Sequence, residues 1–249
     1  MRPQVVAGCP ASGRSWIIKQ WVSHLQRAAE EADVSLSLYL LAPDHDTQLI
    51  DYFEEACSTN GILPVLSTIE EKPREDVREW NPDRYQIMAD LRNTMLRDVR
   101  LLQPDYFLSI DSDILIGKKV LKQLIEDVGS SDFDAVGGKT WLAVGPRQTG
   151  KDGRPPVCHV VNYANLNSNG NLLRRDQEGF FKVDVLMALK LMTPSAYYVD
   201  YEAHRQGEDI GWSLACKQAG VKLGWDGRVR SKHCMVPEDL HRVDDRVGW

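Results

Sequence analysis

Two carboxylates one residue apart, Asp111 and Asp113, follow a hydrophobic run that begins at Tyr106. A short, nearly continuous apolar run is typical of a buried parallel strand. Acids at the carboxyl end of such a strand lie where open α/β sheets bind their ligands. Alternate carboxylates can hold a hard divalent cation there, and such a cation usually binds substrate phosphates. The segment therefore predicts chemistry on a phosphorylated substrate. The alternative is a polar turn, because Asp and Ser also favour turns.

A second pair of acids, Glu208 and Asp209, stands at the start of a predicted helix over 209–219. Acids in the first turn of a helix are stabilised by its dipole, which is a purely structural explanation. The functional alternative is a carboxylate that acts as general base on an incoming hydroxyl group. His233 lies in a charged stretch later in the sequence. It is either a surface residue, a core residue with satisfied hydrogen bonds, or a metal ligand through its neutral imidazole.

The turn over 8–15 lies between a predicted strand and a predicted helix, where backbone amides and the helix dipole attract phosphate. It nearly matches the phosphate-loop pattern G-x-x-x-x-G-K-[ST], but Arg14 stands where that pattern has lysine. A phosphate-loop NTPase or kinase built on this turn therefore stays open as an alternative. Arg92 lies on the predicted helix before the acid pair, and we expect it to clamp a phosphate or a sugar.

Alternating strands and helices position these residues. The first half predicts strands over 4–9, 34–41, 62–66 and 106–116, with helices from Trp16, over 47–58 and over 82–102. This order predicts a parallel sheet covered by helices. Thr47 is the predicted cap of the second helix. The third helix has a predicted apolar stripe formed by Ile87, Leu91, Met95 and Val99.

The second half has a mixed pattern. Its predicted strands and helices cover 118–128, 134–144, 157–163, 209–219 and 221–225, and a charged coil follows. Residues 180–191 are mostly apolar and fit either a strand or a helix. Two segments rich in charge, Pro or Gly, 70–84 and 145–156, are predicted loops.

The composition limits the class of protein. The chain has 249 residues, 43% of them apolar, with a net charge of −6 and five dispersed cysteines. Unpaired cysteine spacing and the absence of an apolar run of about 18 residues predict a cytoplasmic protein without a membrane span. The acidic balance disfavours a general nucleic-acid binder. A local basic groove stays possible, with candidate residues Arg174, Arg175, Arg228, Arg230 and Lys232.

Taken in order, these features resemble the GT-A class of nucleotide-sugar glycosyltransferases, in particular its family-2-like group, over most of the chain. The shared features are a nucleotide-binding first turn, an Arg-Asn helix, an Asp-x-Asp (DxD) strand end, a Glu-Asp helix start and a late histidine. In this sequence they are 10–14, Arg92-Asn93, Asp111-Ser112-Asp113, Glu208-Asp209 and His233. The order and spacing are more specific than any single motif.

The resemblance implies an α/β fold of the GT-A type. A Rossmann-like, mostly parallel central sheet would be flanked by helices and followed by a mixed second half on the acceptor side. One domain would cover 1–249, with a nucleotide-binding half over 1–116 and an acceptor and catalytic half over 117–249. A loop over 146–156 would close over the donor and exclude water.

The resemblance also implies the roles of individual residues. Asp113 and His233 would bind Mn²⁺ or Mg²⁺, and Asp111 would contact the donor or the metal. Asp209, with Glu208 beside it, would match the catalytic base of the inverting members, and whether this chain inverts or retains stays open. The donor-contacting residues would be Pro10, Ala11, Ser12, Arg14, Arg92, Asp111 and Ser112.

The expected function is metal-dependent transfer of a sugar, such as a hexose, from a nucleotide diphosphate donor to a hydroxyl acceptor. A UDP-sugar is the first choice of donor. Compact phage-encoded sugar transferases are similar, and some modify hydroxymethylated bases in DNA, which makes modified DNA a candidate acceptor. The alternatives are a nucleotidyltransferase that makes a sugar nucleotide, the phosphate-loop enzyme, and a non-catalytic binding module in which Asp209 merely caps its helix.

Overall fold

The computed structural model describes residues 2–70, 82–143, 157–160, 163–167, 169, 171–173 and 178–241, and the side chains of 141–143, 157–160 and 241 are not included. The predicted loop over 145–156 and most of that over 70–84 lie outside these residues. The same is true of Arg174 and Arg175.

Strands and helices alternate through the first half of the chain. They are β1 (Gln4–Pro10), α1 (Ser15–Ala32), β2 (Ser35–Pro43), α2 (Thr47–Asn60), β3 (Leu63–Ile69), α3 (Pro82–Leu102) and β4 (Tyr106–Ser109). Strand β1 pairs in parallel with both β2 and β4, and β2 pairs in parallel with β3. The order β3-β2-β1-β4 is that of a Rossmann-like half.

The second half is built mainly from short strands. Its elements are β5 (Ile114–Ile116), α4 (Val120–Gly129), β6 (Ala135–Ala143), β7 (Val157–Val160), β8 (Tyr163–Leu166), β9 (Leu172–Leu173), β10 (Phe180–Val183), β11 (Val185–Leu186), β12 (Lys190–Met192), α5 (Pro194–Tyr197), α6 (Glu208–Gln218), β13 (Leu223–His233) and a 3₁₀-helix (Pro237–His241). The ambiguous segment 180–191 therefore forms strands.

One large sheet runs through both halves. Within the described residues its order is β10-β13-β6-β12-β4-β1-β2-β3, with β5 paired to β13 and β7 paired to β6. Strand β12 runs antiparallel between β4 and β6, so it joins the parallel half to the mixed half. Strands β11, β8 and β9 form a separate small sheet. The α/β fold expected from the sequence is confirmed.

The helices cover both faces of the large sheet, and the core is divided accordingly. Alternate residues of β1 point to opposite faces: Val5 belongs to the cluster that contains Trp21 and Phe53, whereas Val6 belongs to the cluster that contains Trp212. Helices α1, α2 and α4 supply the first cluster, and α3 and α6 supply the second.

Two predictions about helices were wrong in detail. The cap of α2 is Asp46 and not Thr47, because the Asp46 carboxylate accepts a hydrogen bond from the amide of Leu49 at 3.4 Å. In α3, Ile87 is 39% exposed. Met95 and Val99 of the predicted stripe are buried as expected. A row at four-residue spacing drifts around a helix, so nearer the start of α3 the buried positions are Ala89 and Arg92.

The last strand is much longer than predicted. The sequence pattern placed its end at Trp225, but β13 continues to His233. Charged residues follow Trp225, and the register with β6 shifts between Asp226 and Arg230, so the alternation of a strand is interrupted there. Beyond the shift, β13 pairs with both β6 and β5, and His233 lies opposite Ile114.

Candidate active site

The predicted acid pair lies in the short connection between β4 and β5, at the carboxyl end of the parallel strands. Hydrogen bonds to the main-chain carbonyl groups of Asp111 and Asp113 hold this connection in place. The amide of Ile114 and the indole of Trp21 both donate to the carbonyl of Asp111, at 3.0 and 3.2 Å. The amide of Cys234 donates to the carbonyl of Asp113 at 2.8 Å. The first of these acids is thereby fixed to α1, and the second to the end of β13.

Asp113, His233 and Arg14 meet at this point. Nε2 of His233 lies 3.2 Å from Oδ1 of Asp113, and a guanidinium nitrogen of Arg14 lies 2.8 Å from Oδ2. Arg14 also donates to the carbonyl of Met235 at 3.2 Å. The guanidinium of Arg14, which was predicted to contact the donor, is therefore placed against the acid predicted to bind metal.

Asp113 and His233 shift each other's pKa. Burial raises the pKa of Asp113, but the hydrogen bond and charge of His233 and the charge of Arg14 outweigh burial, so its pKa lies below the ordinary value. Burial lowers the pKa of His233, but its contact with Asp113 outweighs burial and raises that pKa. The Asp113 carboxylate is therefore ionised at neutral pH, as a metal ligand must be, whereas His233 would bind a metal only after losing its proton.

The geometry of Asp113 and His233 fits a divalent cation. In an octahedral shell with bonds of about 2.1 Å, neighbouring ligand atoms lie about 3 Å apart, close to the observed 3.2 Å between Oδ1 and Nε2. No group of three or more His, Cys, Asp or Glu residues in the described part of the chain could hold a metal. Within the described residues, Asp113 and His233 are a pair at this spacing, and a site of few protein ligands suits an ion that shares its shell with water and substrate phosphates.

Asp111 has a different neighbour. Its Oδ1 accepts a hydrogen bond from Arg92 at 2.9 Å, and Nε of Arg92 lies 3.2 Å from Oε1 of Glu208. Arg92 is 3% exposed and reaches from α3 across the end of β4. Its guanidinium therefore joins the acid pair after β4 to the acid pair at the start of α6. The role of Asp111 as a metal ligand stays a prediction.

Asp209 lies one residue further along α6 and is held by Lys190, which the sequence analysis missed. Nζ of Lys190 lies 2.6 Å from Oδ1 of Asp209, and the amide of Ala188 donates to Oδ2 at 3.2 Å. Lys190 is fully buried. The available signal was a lysine inside a continuous apolar run, since lysine is almost never fully buried without a partner.

The remaining predicted contacts lie around the turn between β1 and α1. Pro10 ends β1, the amide of Ala11 donates to the carbonyl of Leu41 at 2.9 Å, and Ser12 is exposed. The amide of Gly13 donates to Asp46 at 2.8 Å, so the cap of α2 also fixes this turn. Ser112 is buried. Burial raises the pKa of the Cys9 thiol, and the Ser112 side chain acts to lower it.

Comparison with known proteins gives structural likeness only. No protein-family model matches the chain, and a comparison with curated protein sequences gives no match. The S. aureus TarS fragment 1–349 in complex with UDP-GlcNAc has a TM-score of 0.57 at 12% identity, over 98% of this chain and 62% of that one. The mannosyltransferase PcManGT from Pyrobaculum calidifontis, in complex with GDP-Man and Mn²⁺, has a TM-score of 0.59 at 12% identity, over 95% and 58%. GalNAc-T7 with UDP, GalNAc and Mn²⁺ has a TM-score of 0.56 at 13% identity, over 94% and 44%.

The chain has the GT-A fold. It spans less than two thirds of the length of each of these three proteins. Among the residues that the structure describes, no helix has the length and apolar character that crossing a bilayer requires.

The GT-A fold brings most of the predicted residues to one edge of the large sheet. The residues at this edge form two groups, and ion pairs join the members of each group. The first comprises Arg14, Asp113 and His233, and the second comprises Arg92, Asp111 and Glu208. Asp209 follows Glu208 but pairs with Lys190. Ser112 lies on the buried side of the connection.

Proposed function

We propose that this chain is a metal-dependent glycosyltransferase that moves a sugar from a nucleotide diphosphate donor, a UDP-sugar first, to a hydroxyl acceptor. The observation that carries the proposal is the contact between Asp113 and His233 at 3.2 Å, at the carboxyl edge of a GT-A sheet. A carboxylate and an imidazole at that spacing suit a divalent cation that a diphosphate completes. The neighbours' complexes with UDP-GlcNAc and with GDP-Man and Mn²⁺ support a sugar nucleotide as the ligand.

The donor diphosphate would lie between the two ion-paired groups. Asp113 and His233 would hold Mn²⁺ or Mg²⁺, which would neutralise charge on the departing nucleoside diphosphate and lower the barrier by several kcal/mol. Arg14 stands beside this place and would add a guanidinium contact to phosphate. Pro10, Ala11 and Ser12 would contact the base and ribose from the turn after β1.

Asp209 would accept the proton of the attacking hydroxyl group. Burial raises the pKa of Asp209, but the charges of Lys190 and Arg92 outweigh burial and bring that pKa below the ordinary value. The carboxylate is therefore ionised at neutral pH, which a general base requires. Glu208 differs, because burial and the charge of Asp209 raise its pKa. Its contact with Arg92 suits a supporting role next to the base.

The alternative functions find less support in the site. In a non-catalytic module Asp209 would cap α6, but the residue at the cap position is Gly207, and the Asp209 oxygens accept from Lys190 and Ala188. For a phosphate-loop enzyme the amides of 8–15 would face phosphate, whereas the amide of Gly13 is bound to Asp46. A nucleotidyltransferase would use the same acids and cation, so its products must distinguish it.

The acceptor is proposed only as a hydroxyl group. Modified DNA as acceptor would need a basic surface near the site. Of the cluster named above, Arg228 is paired with Asp226 at 2.8 Å, and Lys232 is 9% exposed. Both observations weigh against DNA, so simple sugars are the first acceptors to test and hydroxymethylated DNA is tested beside them.

The test is a donor assay with calorimetry. UDP- and GDP-sugars are incubated with the protein and Mn²⁺, and we expect release of nucleoside diphosphate from one of them and its acceleration by a suitable acceptor. Asp113→Ala should weaken Mn²⁺-dependent binding of the nucleoside diphosphate at least about tenfold, because it removes one of two protein ligands. Asp132→Ala, at an exposed acid paired with Lys222, is the control.

Each outcome separates the candidates. Pyrophosphate from a nucleoside triphosphate and a sugar phosphate would indicate the nucleotidyltransferase, and inorganic phosphate from ATP would indicate the phosphate-loop enzyme. Equal affinity of the wild type and Asp113→Ala for nucleoside diphosphate in Mn²⁺ would contradict the proposed metal site.

A further inference from the structure

Lys190 is a charged residue in the middle of the large sheet. It begins β12, the strand that lies between β4 and β6, and none of its surface is exposed. Burying an ammonium group costs several kcal/mol unless it is paired. A buried ion pair that only supported the fold could be replaced as a whole by apolar residues of similar volume at little cost. Its partner therefore indicates why the charge is there.

The contacts of Lys190 converge on Asp209. Nζ lies 2.6 Å from Oδ1, while the amide of Ala188, two residues earlier, donates to Oδ2 at 3.2 Å. Ala188 has a φ of 56°, a left-handed conformation that is uncommon for alanine. Ala188 and Lys190 thus bind both oxygens of the Asp209 carboxylate. The backbone strain at Ala188 occurs at one of these two contacts.

Aromatic rings enclose the ammonium group. Nζ lies 5.1 Å from the centroid of the Trp212 ring and 5.5 Å from that of Tyr201. Trp212 follows Asp209 by three residues, so both lie on the same side of α6. A cation over aromatic faces is attracted to the rings. The ammonium group of Lys190 is thus in contact with two aromatic rings and with the Asp209 carboxylate.

The charges that face Asp209 come from several elements. Glu208 belongs to the same helix, Arg92 comes from α3, Asp111 from the connection after β4, Tyr201 from the segment before α6, and Lys190 from β12. Arg92 is shared with two other acids, Asp111 and Glu208. Lys190 is the cation in direct contact with Asp209.

We propose that Lys190 is a positioning residue for the catalytic base, and that it keeps the Asp209 carboxylate ionised and oriented toward the acceptor. This inference rests on the proposed function. A lysine that served only the fold would affect the amount of folded protein, whereas a positioning lysine affects how turnover depends on pH.

The kinetic test compares Lys190→Met, which keeps the length of the side chain without its charge, with Lys190→Arg. We expect Lys190→Met to lower kcat about 10- to 100-fold through loss of orientation, with the donor KM unchanged. The acid limb of its pH–kcat profile should shift upward by about one unit or more, because an opposite charge beside the carboxylate is lost. Lys190→Arg should keep the wild-type acid limb even where kcat is reduced.

A matched control is available on α6, the helix that carries Asp209. Lys217 forms an ion pair with Asp184 at 2.9 Å, but it is exposed and lies away from the site. Lys217→Met should leave kcat and the acid limb unchanged. A Lys190→Met protein with normal kcat, or with reduced kcat and the wild-type acid limb, would overturn the proposal.

A stability cycle keeps the proposal testable if Lys190→Met folds poorly. Removing the lysine leaves a buried carboxylate unpaired, so Lys190→Met should lower Tm more than the double variant Lys190→Met/Asp209→Asn does. Additive effects of the two substitutions on Tm would mean that the ion pair does not form, which would also overturn the proposal. If the wild type releases no nucleoside diphosphate from any donor, the proposed function fails, while the cycle still reports on the pair.

Discussion

At the scale of single residues, the site balances buried charges. Arg92 lies between Asp111 and Glu208, Lys190 holds Asp209, and Arg14 with His233 surrounds Asp113. A buried ion costs free energy unless it is paired, and removing one partner leaves the other uncompensated. This is why the lysine matters as much as the acid it holds, although only the acid belongs to a recognisable motif.

The first prediction concerns Asp209→Asn. The amide keeps the shape of the side chain but cannot accept a proton, so kcat should fall at least about 10²-fold, the usual scale for loss of a general base. Donor affinity should be unchanged, because the substitution leaves the residues proposed to bind the donor phosphates in place. Nucleoside diphosphate release and calorimetry measure the two effects, and Asp184→Asn is the control at an ion pair away from the site. Turnover equal to wild type would remove Asp209 from its proposed role.

A second prediction concerns a pair of acids outside the site. Asp127 of α4 lies beside Asp226 of β13, and Arg228 contacts both. Burial and the neighbouring Asp226 carboxylate raise the pKa of Asp127 to about 6. The folded state therefore binds more protons than the unfolded state between about pH 4 and pH 6, and stability falls as the pH rises through this window.

Replacing Asp127 by Asn should remove this loss. A pKa difference of two units corresponds to at most about 2–3 kcal/mol, so Asp127→Asn should be more stable than wild type at pH 7 by up to that amount. At pH 4 the two proteins should be similar. Urea unfolding at both pH values measures the difference. If the free energy of unfolding depended on pH in the same way in both proteins, the pKa of Asp127 would not be raised by folding.

At the scale of elements, two glycines allow α6 to bring Glu208 and Asp209 to the sheet edge. Gly207 has a φ of 128°, which L side chains rarely adopt, and it precedes the helix. A Cβ on Gly211 would overlap the main-chain carbonyl oxygen and carbonyl carbon of Glu202, far inside van der Waals contact. The start of α6 is therefore docked against backbone that cannot move aside easily.

Gly211→Ala should therefore destabilise the protein. Forcing a methyl group against backbone costs typically about 1–3 kcal/mol, which lowers Tm by several degrees in a chain of this length. Gly129→Ala is the matched control, because a Cβ there meets nothing within 4 Å. Thermal unfolding monitored by circular dichroism compares the three proteins. Equal Tm values for Gly211→Ala and Gly129→Ala would mean that α6 is not docked so closely.

The elements also show what sequence can predict. The helix expected over 82–102 is α3 with the same bounds, because periodicity and flanking prolines are local signals. The length of β13 and the pairing of Lys190 with Asp209 depend on residues distant in sequence. No local pattern contains them. The acid motifs were found because their spacing is local, whereas the cation that holds one of them was not.

At the scale of the whole molecule, the two halves share one sheet. Strand β12 lies between β4 of the first half and β6 of the second, and β13 pairs with both β5 and β6. The residues proposed to bind the cation and the phosphates follow the same division. Arg14 and Asp113 belong to the first half, and His233 lies at the end of β13. A ligand held by all three residues would therefore tie β13 to the parallel half. That the chain is one domain stays a prediction, which a single unfolding transition would support.

The last prediction joins ligand binding to global stability. A nucleoside diphosphate and Mn²⁺ together should raise Tm, because a ligand that binds only the folded state at 100 times its Kd stabilises by about 2.7 kcal/mol. Either one alone should do much less, since the ion needs oxygens from the diphosphate to complete its shell. Scanning calorimetry with UDP or GDP, with and without Mn²⁺ and EDTA, measures the shift. His233→Ala should lose the Mn²⁺-dependent part of the shift, while His45→Ala, at an exposed histidine after β2, should retain it. A full Tm shift with EDTA present would show that the diphosphate binds without a cation. Arg14 would then be the residue that balances the negative charge of the diphosphate.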